Sequence, residues 1–455
     1  MPIGEVMQIE ILDVIDCRIK KALADIIRPE LSYTAVFYQQ GPYKKIRKEY
    51  EKSIMKKGSD YYYFPTGLLP RVLAYCKERN VDITITGKAE TLSATNKTSL
   101  KGIVLREEQQ RLVDAAIKKG RGSLVASTGQ GKTYMGLAVV SAFKNAKTLW
   151  LCHTLDLMYQ AAERAKEVLP HLKQGFIGDS KCSIGDITFA TRQSFSKQVG
   201  EYGCVFDIII VDELHHASSI EYETILQHVL APIRIGLTAT LPKEKSLLLS
   251  IEGSIGPIIE EITIEEGQER GTMAEIKIKF LKVPIDHNLK QLRKYADVYK
   301  AGVVENKLQH KIIVNTAIKH INKNESVLIL VTQIEHGYNL QREFERQGIE
   351  VTYAQGATES EDRLSIKNAL NKKHCLCVIA TTIFKEGIDI PELDVIINAA
   401  GGKSEIATIQ AVGRGLRLTK TKKTLTYYDI LNTSHNYLID HIANRLETYT
   451  SMNWL

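Results

Sequence analysis

The sequence predicts an α/β protein: two tandem, doubly wound parallel sheets preceded by a small α+β region. Three observations carry this expectation. From about residue 98 onward, short apolar runs of strand type alternate with amphipathic stretches of helical spacing. A Gly-rich loop, "ASTGQGKT" (126–133), joins one such run to a helical stretch. An acidic pair, Asp212 and Glu213, closes another run about eighty residues later.

Residues 1–97 mix short strand-like runs with a basic, tyrosine-rich stretch and end in the polar segment "GKAETLSATNKTS", which reads as a linker. The first sheet, expected over 98–270, takes "GSLVAS", "KTLWLCHT", "DITFAT", "DIIIVDE" and "IRIGLTAT" as strands. The second, over 271–455, takes "SVLILVT", "IEVTYA", "HCLCVIAT", "LDVIINA" and "KTLTYYDI". A final helix is expected in "NYLIDHIANRLETY".

Whole-chain properties narrow the class. The 455 residues suffice for about three domains. A hydrophobic content of 44% and a charged content of 25% fit an ordinary globular protein. A net charge of +7 permits a polyanionic partner without demanding one. Seven cysteines without paired metal spacing point to reduced thiols and a cytoplasmic setting, with the lone C-x-C at 375–377 read as buried strand. The opening "MPIGEVMQIEILDVIDC" is rich in acids and lacks a basic start, so no secretory signal is expected. No apolar run approaches the ~18 residues of a membrane span, so no membrane partner is expected.

The loop and the acidic pair read as two halves of one nucleotide site. Gly129 and Gly131 let successive amides turn inward as an anion nest around Ser127, Thr128 and Gln130. Lys132 is placed for the β- and γ-phosphates and Thr133 for Mg²⁺, at the N-terminus of a helix. Asp212 suits Mg²⁺ held largely through water, and Glu213 suits positioning of the attacking water. The implied cofactors are ATP and Mg²⁺.

Eight motifs in order make the chain resemble the superfamily 2 helicases over about residues 98–445. "LREEQ" resembles the adenine-sensing region (Arg106, Gln109), and Ala126 in the loop is how this superfamily writes motif I. "HTLDLMYQ" resembles motif Ia, "TRQS" a strand-contact motif, "DELHH" motif II and "LTATLP" motif III. "ATTIFKEGIDIP" and "QAVGRGLR" resemble motifs V and VI. The resemblance implies two RecA-like domains and an ATP-dependent DNA motor. It implies nucleotide contacts for Gly387, Asp389 and Gln410 and an arginine finger from Arg414 and Arg417, which also fall on one helical face. It makes His215 a coupler between the ATP site and Thr238 and Thr240, and it marks Thr154, Thr191, Thr332 and Thr381 as strand-track candidates. A lone threonine at a strand end is also an ordinary helix cap.

Two further readings stay open. Lys44, Lys45, Arg47 and Lys48, interleaved with tyrosines, suit phosphate tracking and base stacking, or equally a solvated helix face. Burial is expected for Tyr63 and Phe64. The N-terminal region and the tail are similar to UvsW-type phage recombination helicases and the XPB-type core. That likeness implies remodelling of branched DNA (forks, D-loops, four-way junctions), by a monomer that could work with recombination or replication proteins. An RNA helicase, a generic unwinding enzyme, an ATP-gated clamp and the motor subunit of a restriction system, a translocase without strand separation, are the alternatives.

Overall fold

The computed structural model describes residues 7–40, 45–95, 97–127, 129–217, 219–355, 358, 360–381, 390–402, 413, 415, 418 and 422–455. Two compact units emerge: residues 1–126 with 131–262, and residues 127–130 with 263–455. Among the described residues no helix is long and apolar enough to cross a membrane.

The first unit is built on an eight-stranded sheet. Its order is Lys181–Ser183, Gln174–Gly178, Ile187–Thr191, Thr148–Cys152, Ile208–Asp212, Ile233–Thr238, Arg121–Ala126 and Ile258–Ile262. All neighbours are parallel except the first pair. Every residue of Thr148–Cys152, Ile187–Thr191, Ile208–Asp212 and Ile233–Thr238 is buried, because helices cover both faces. In-register pairing then brings the carboxyl ends of these strands to one edge of the sheet, with Thr191 opposite Cys152 and Asp212 opposite Leu237. That edge is where a doubly wound sheet takes its ligand.

The second unit holds a six-stranded, wholly parallel sheet. It runs Glu275–Lys282, Thr424–Leu431, Val395–Asn398, Val327–Leu330, Cys377–Ala380, Thr352–Ala354. The expected C-terminal helix spans Asn436–Ser451. Its Arg445 is buried against Asp429 (Nε to Oδ2, 2.8 Å) and donates to the carbonyl of Gly402, while Tyr449 donates to Asp429. A buried carboxylate within strand Thr424–Leu431 thus ties the helix to its own sheet.

All ten strand runs expected for the two sheets are present, and the two RecA-like α/β domains with a small α+β region form the fold. The N-terminal region folds as a five-stranded sheet over helices Lys21–Ile27 and Leu69–Glu78. Phe64 is wholly buried there, and Tyr63 is partly buried.

Two details differ from what the sequence alone suggests. The basic stretch is a strand and not a helix face: Lys45–Ser53 pairs antiparallel with Ser32–Gln40 in a separate two-stranded hairpin. Its alternating charges and aromatics have no apolar period of 3.6, and cross-strand pairing gives its backbone its partners.

Nor is the N-terminal region a tethered module. Leu249, on helix Lys245–Ser254 of the large sheet's layer, completes the N-terminal apolar core. Arg71 clamps Glu252 of that helix with two bonds (2.7 and 3.0 Å) and also binds Glu30. Arg121 donates to the carbonyl of Val14 at 2.9 Å. The "linker" runs along the end of helix Lys132–Ser141, with Thr95 N donating to Ala142 O at 2.9 Å.

Candidate functional site

The loop after strand Arg121–Ala126 has the backbone that its glycines suggest. Gly129 and Gly131 take φ of 88° and 82°, the left-handed region where a Cβ is costly. A side chain at Gly131 would meet the Gln109 amide nitrogen at 2.6 Å, so the glycine also makes room for Gln109. Gly131 is the N-cap of helix Lys132–Ser141, whose first amides face the loop. Lys132 is buried and donates Nζ to the carbonyl of Ala126 at 3.1 Å. Thr133 accepts a hydrogen bond from Arg164 Nη1 at 2.8 Å.

Gln109 lies in the first turn of helix Glu107–Lys119, and its side-chain oxygen accepts from the Arg106 amide at 2.9 Å. Arg106 also pairs with the buried Glu108. This capping arrangement fixes the helix start beside the loop.

Asp212 ends strand Ile208–Asp212 in a buried position and accepts from the Glu213 amide at 3.0 Å. Burial, reinforced by the charge of Glu213, pushes its carboxyl up to about 6, against the pull of Lys132, the Glu213 amide and Arg164. A cation bound there would reverse that cost. Glu213 has φ of 50°, an uncommon conformation for a non-glycine residue at a strand end. Its Oε2 is buried without a hydrogen-bond partner among the described residues.

His215 links this carboxylate to the next strand. Its Nδ1 lies 3.4 Å from Glu213 Oε2 and 3.3 Å from Thr238 Oγ1, while Thr238 donates to the carbonyl of Thr240 at 2.6 Å. His216 stacks on His153 with ring centroids 4.0 Å apart.

Helix N-terminal amides, a lysine, a hydroxyl and a buried carboxylate form a donor set that fits a nucleotide phosphate chain with a hard divalent cation. The carboxyl with its proton affinity raised, and the buried oxygen of Glu213, are the features such a ligand would satisfy.

The remaining expected residues fall into three groups. Thr154 and Thr191 cap helices Leu155–Val168 and Arg192–Phe195, so each has the local role that its position allows. In the second unit Thr332 is exposed, whereas Thr381 is buried with its hydroxyl unpartnered among the described residues. Arg47 and Lys48 are exposed on the hairpin. Thr128, Gly387, Asp389, Gln410, Arg414, Arg417 and Lys44 lie outside the described residues, as does the side chain of Lys45. Arg164 carries no motif signal in the sequence; only its place on a neighbouring helix shows that it reaches Thr133.

Fold and site together define a P-loop motor with tandem RecA-like domains. Residues 102–243 match the type III restriction enzyme res subunit, and residues 307–419 match the helicase conserved C-terminal domain. The chain belongs to the superfamily 2 helicases, a family of ATP-dependent enzymes. It is 28% identical over 362 residues to the DNA 3'-5' translocase XPB2 of Sulfurisphaera tokodaii, covering 71% of this chain and 80% of that one. It is 26% identical over 283 residues to the ATP-dependent DNA helicase uvsW of Enterobacteria phage T4, covering 58% of this chain and 56% of that one. Among solved structures, Dbp5 of S. cerevisiae bound to RNA and ADP BeF3 shares the fold. It has a TM-score of 0.56 at 12% identity, over 77% of this chain and 88% of that one.

Proposed function

We propose that the chain is an ATP-driven DNA translocase that remodels branched DNA. The observation that carries the motor is the placing of Lys132 and Thr133, after one strand, beside the same sheet edge as the linked series Asp212, Glu213, His215 and Thr238. Bound Mg²⁺-ATP supplies the transferable phosphoryl group and the cation. Lys132 and the loop amides hold phosphate oxygens, and Thr133 and Asp212 hold the cation, Asp212 largely through water. To hold the cation, the Thr133 hydroxyl, now bonded by Arg164, would have to turn toward it. Glu213 orients the attacking water and accepts its proton.

His215 reports the state of Glu213 to Thr238 and Thr240, and so to the segment after that strand. Arg106 and Gln109 are proposed contacts to the base, and Gly387, Asp389, Gln410, Arg414 and Arg417 are proposed nucleotide contacts by their motif positions. Thr154, Thr191, Thr332 and Thr381 are proposed contacts to the DNA strand.

DNA as the track is supported by the names of the relatives, a DNA 3'-5' translocase and a DNA helicase. The branched substrate is supported by the basic N-terminal hairpin, since phosphate contacts alone carry little shape information. Bacteriophage origin, recombination or repair partners, a monomeric state and a cytoplasmic location belong to the same reading.

The test compares ATP hydrolysis with DNA and RNA of equal length, and strand remodelling on forks, D-loops, four-way junctions and plain duplex. DNA stimulation with preferential action on the branched forms supports the reading. Equal stimulation by RNA favours an RNA helicase, and tight binding without turnover favours a clamp.

A further inference from the structure

The hairpin Ser32–Gln40/Lys45–Ser53 has two chemically different faces. Directly paired residues share a face, and faces alternate along each strand. One face carries Thr34, Val36, Arg47, Glu49 and Glu51, with Arg47 bound to Glu49 at 2.5 Å. The other carries Tyr33, Ala35 and Phe37 from one strand and Lys48, Tyr50 and Lys52 from its partner. No carboxylate of the hairpin stands on this second face.

Phe37 and Tyr50 meet edge-to-face on the diagonal at 5.5 Å, yet they remain 44% and 48% exposed. A core aromatic pair would not be left so open, and a sheet of two strands has no second layer to cover it. Between residues 32 and 57 the sequence holds seven lysines and arginines against two glutamates, most of the net charge of the whole chain.

At its root this face opens into a cavity of about 640 Å³, where Tyr33, Lys52 and Lys56 face Gln227, Ser246 and Ser250 of the first sheet's helical layer. Two carboxylates lie there: Glu223 accepts from Ser250 at 2.8 Å, and Asp16 lies within the field of Lys56. Lysines are thus interleaved with open aromatic rings on one face, without hairpin carboxylates between them.

We propose that this face is a stacking platform for an unpaired DNA strand, in which Phe37 and Tyr50 take bases and Lys48 and Lys52 take the adjoining phosphates. Aromatic rings stack with any base, and lysines follow the backbone, so the platform reads unpaired character and not sequence. The proposal deepens the branched-DNA reading, on which it rests, by naming what is gripped: the unpaired strand at the branch.

The full-length chain is titrated with a duplex bearing an unpaired tail of roughly ten nucleotides. The tail contains 2-aminopurine, whose fluorescence reports stacking, and blunt duplex serves as the control. The pair Phe37→Ala/Tyr50→Ala should weaken tail binding about tenfold and remove the fluorescence change. Blunt-duplex affinity and the salt dependence should stay as they were. Phe37→Trp with Tyr50→Phe should retain both signals. Lys48→Gln/Lys52→Gln should instead lower the salt slope of tail binding by about 1.4, two phosphates at ~0.7 each.

The four side chains face solvent, and unchanged thermal midpoints check that the variants fold; Tyr50→Ala alone provides a milder second variant. Wild-type tail binding in the alanine pair would overturn the proposal. So would an equal loss on blunt duplex, a preference for an RNA tail, or lost self-association in place of lost DNA binding. A wild-type chain whose ATPase ignores DNA defeats the motor reading by itself, whereas a DNA-stimulated chain with an unaffected alanine pair defeats only the platform.

Discussion

Asp212 keeps an ionisable carboxyl in a fully buried place, and the cost is visible in its proton affinity. Its folded value near 6 stands above the ordinary 3.8, so between those values the folded chain holds a proton that the unfolded chain has lost. Stability therefore falls as pH rises through that window and stays lower above it. Without nucleotide or Mg²⁺, Asp212→Asn should raise stability at neutral pH by something of the order of 2 kcal/mol, with the gain vanishing near pH 4. Thermal melts across pH check this; a lower midpoint at pH 7 would mean that the carboxylate is net stabilising.

Lys132→Ala should abolish hydrolysis yet leave DNA binding largely in place. Glu213→Gln should bind ATP well and turn it over very slowly, because only water positioning is lost. Nucleotide binding and single-turnover assays separate the two. Arg414→Ala and Arg417→Ala should depress kcat far more than ATP affinity, as groups acting on transition-state charge do. An unchanged kcat in both would reduce "QAVGRGLR" to a surface helix. The loop and the acidic pair could be picked out in the sequence because their proposed chemistry needs fixed spacings, whereas His215 came only from the family resemblance. Arg164 could not be picked out: its reach to Thr133 depends on how helix Leu155–Val168 packs.

At the scale of elements, legibility follows burial. Strands covered on both faces stand out as continuous apolar runs. The strands that sequence pattern did not reveal are Gln174–Gly178, Lys181–Ser183, Ile258–Ile262 and Glu275–Lys282. The last three lie at or beside a sheet edge, where exposed positions admit Glu and Lys, and the first contains two glycines. The reading of the hairpin stays open in the sequence for a related reason, since a two-stranded element buries too little to leave an apolar pattern.

Docking of the N-terminal region was equally invisible, because it depends on Arg71, Arg121 and a single close backbone approach. A Cβ at Gly67 would stand 2.1 Å from the carbonyl oxygen of Glu252, and backbone cannot yield as a side chain can. Gly67→Ala should therefore cost about 1–3 kcal/mol or more, read as a lower denaturation midpoint. Stability equal to wild type would show that the contact is slack. By the same reasoning, a chain beginning near Lys97 should expose Leu249 and lose solubility, where a tethered module could be removed harmlessly.

At the scale of the molecule, the proposed motor rests on a strand-edge nucleotide site, and the N-terminal hairpin is the feature proposed to recognise something other than uniform phosphate. The central claim is that hydrolysis at Lys132, Asp212 and Glu213 is coupled to DNA. The most direct measurement is steady-state ATP hydrolysis by the full-length chain, with and without forked DNA, beside Glu213→Gln. The account predicts strong stimulation by the fork in the wild type and near-absent turnover in the variant, with the variant still binding both ATP and fork. Hydrolysis that is indifferent to DNA, or that survives Glu213→Gln at the wild-type rate, would contradict it.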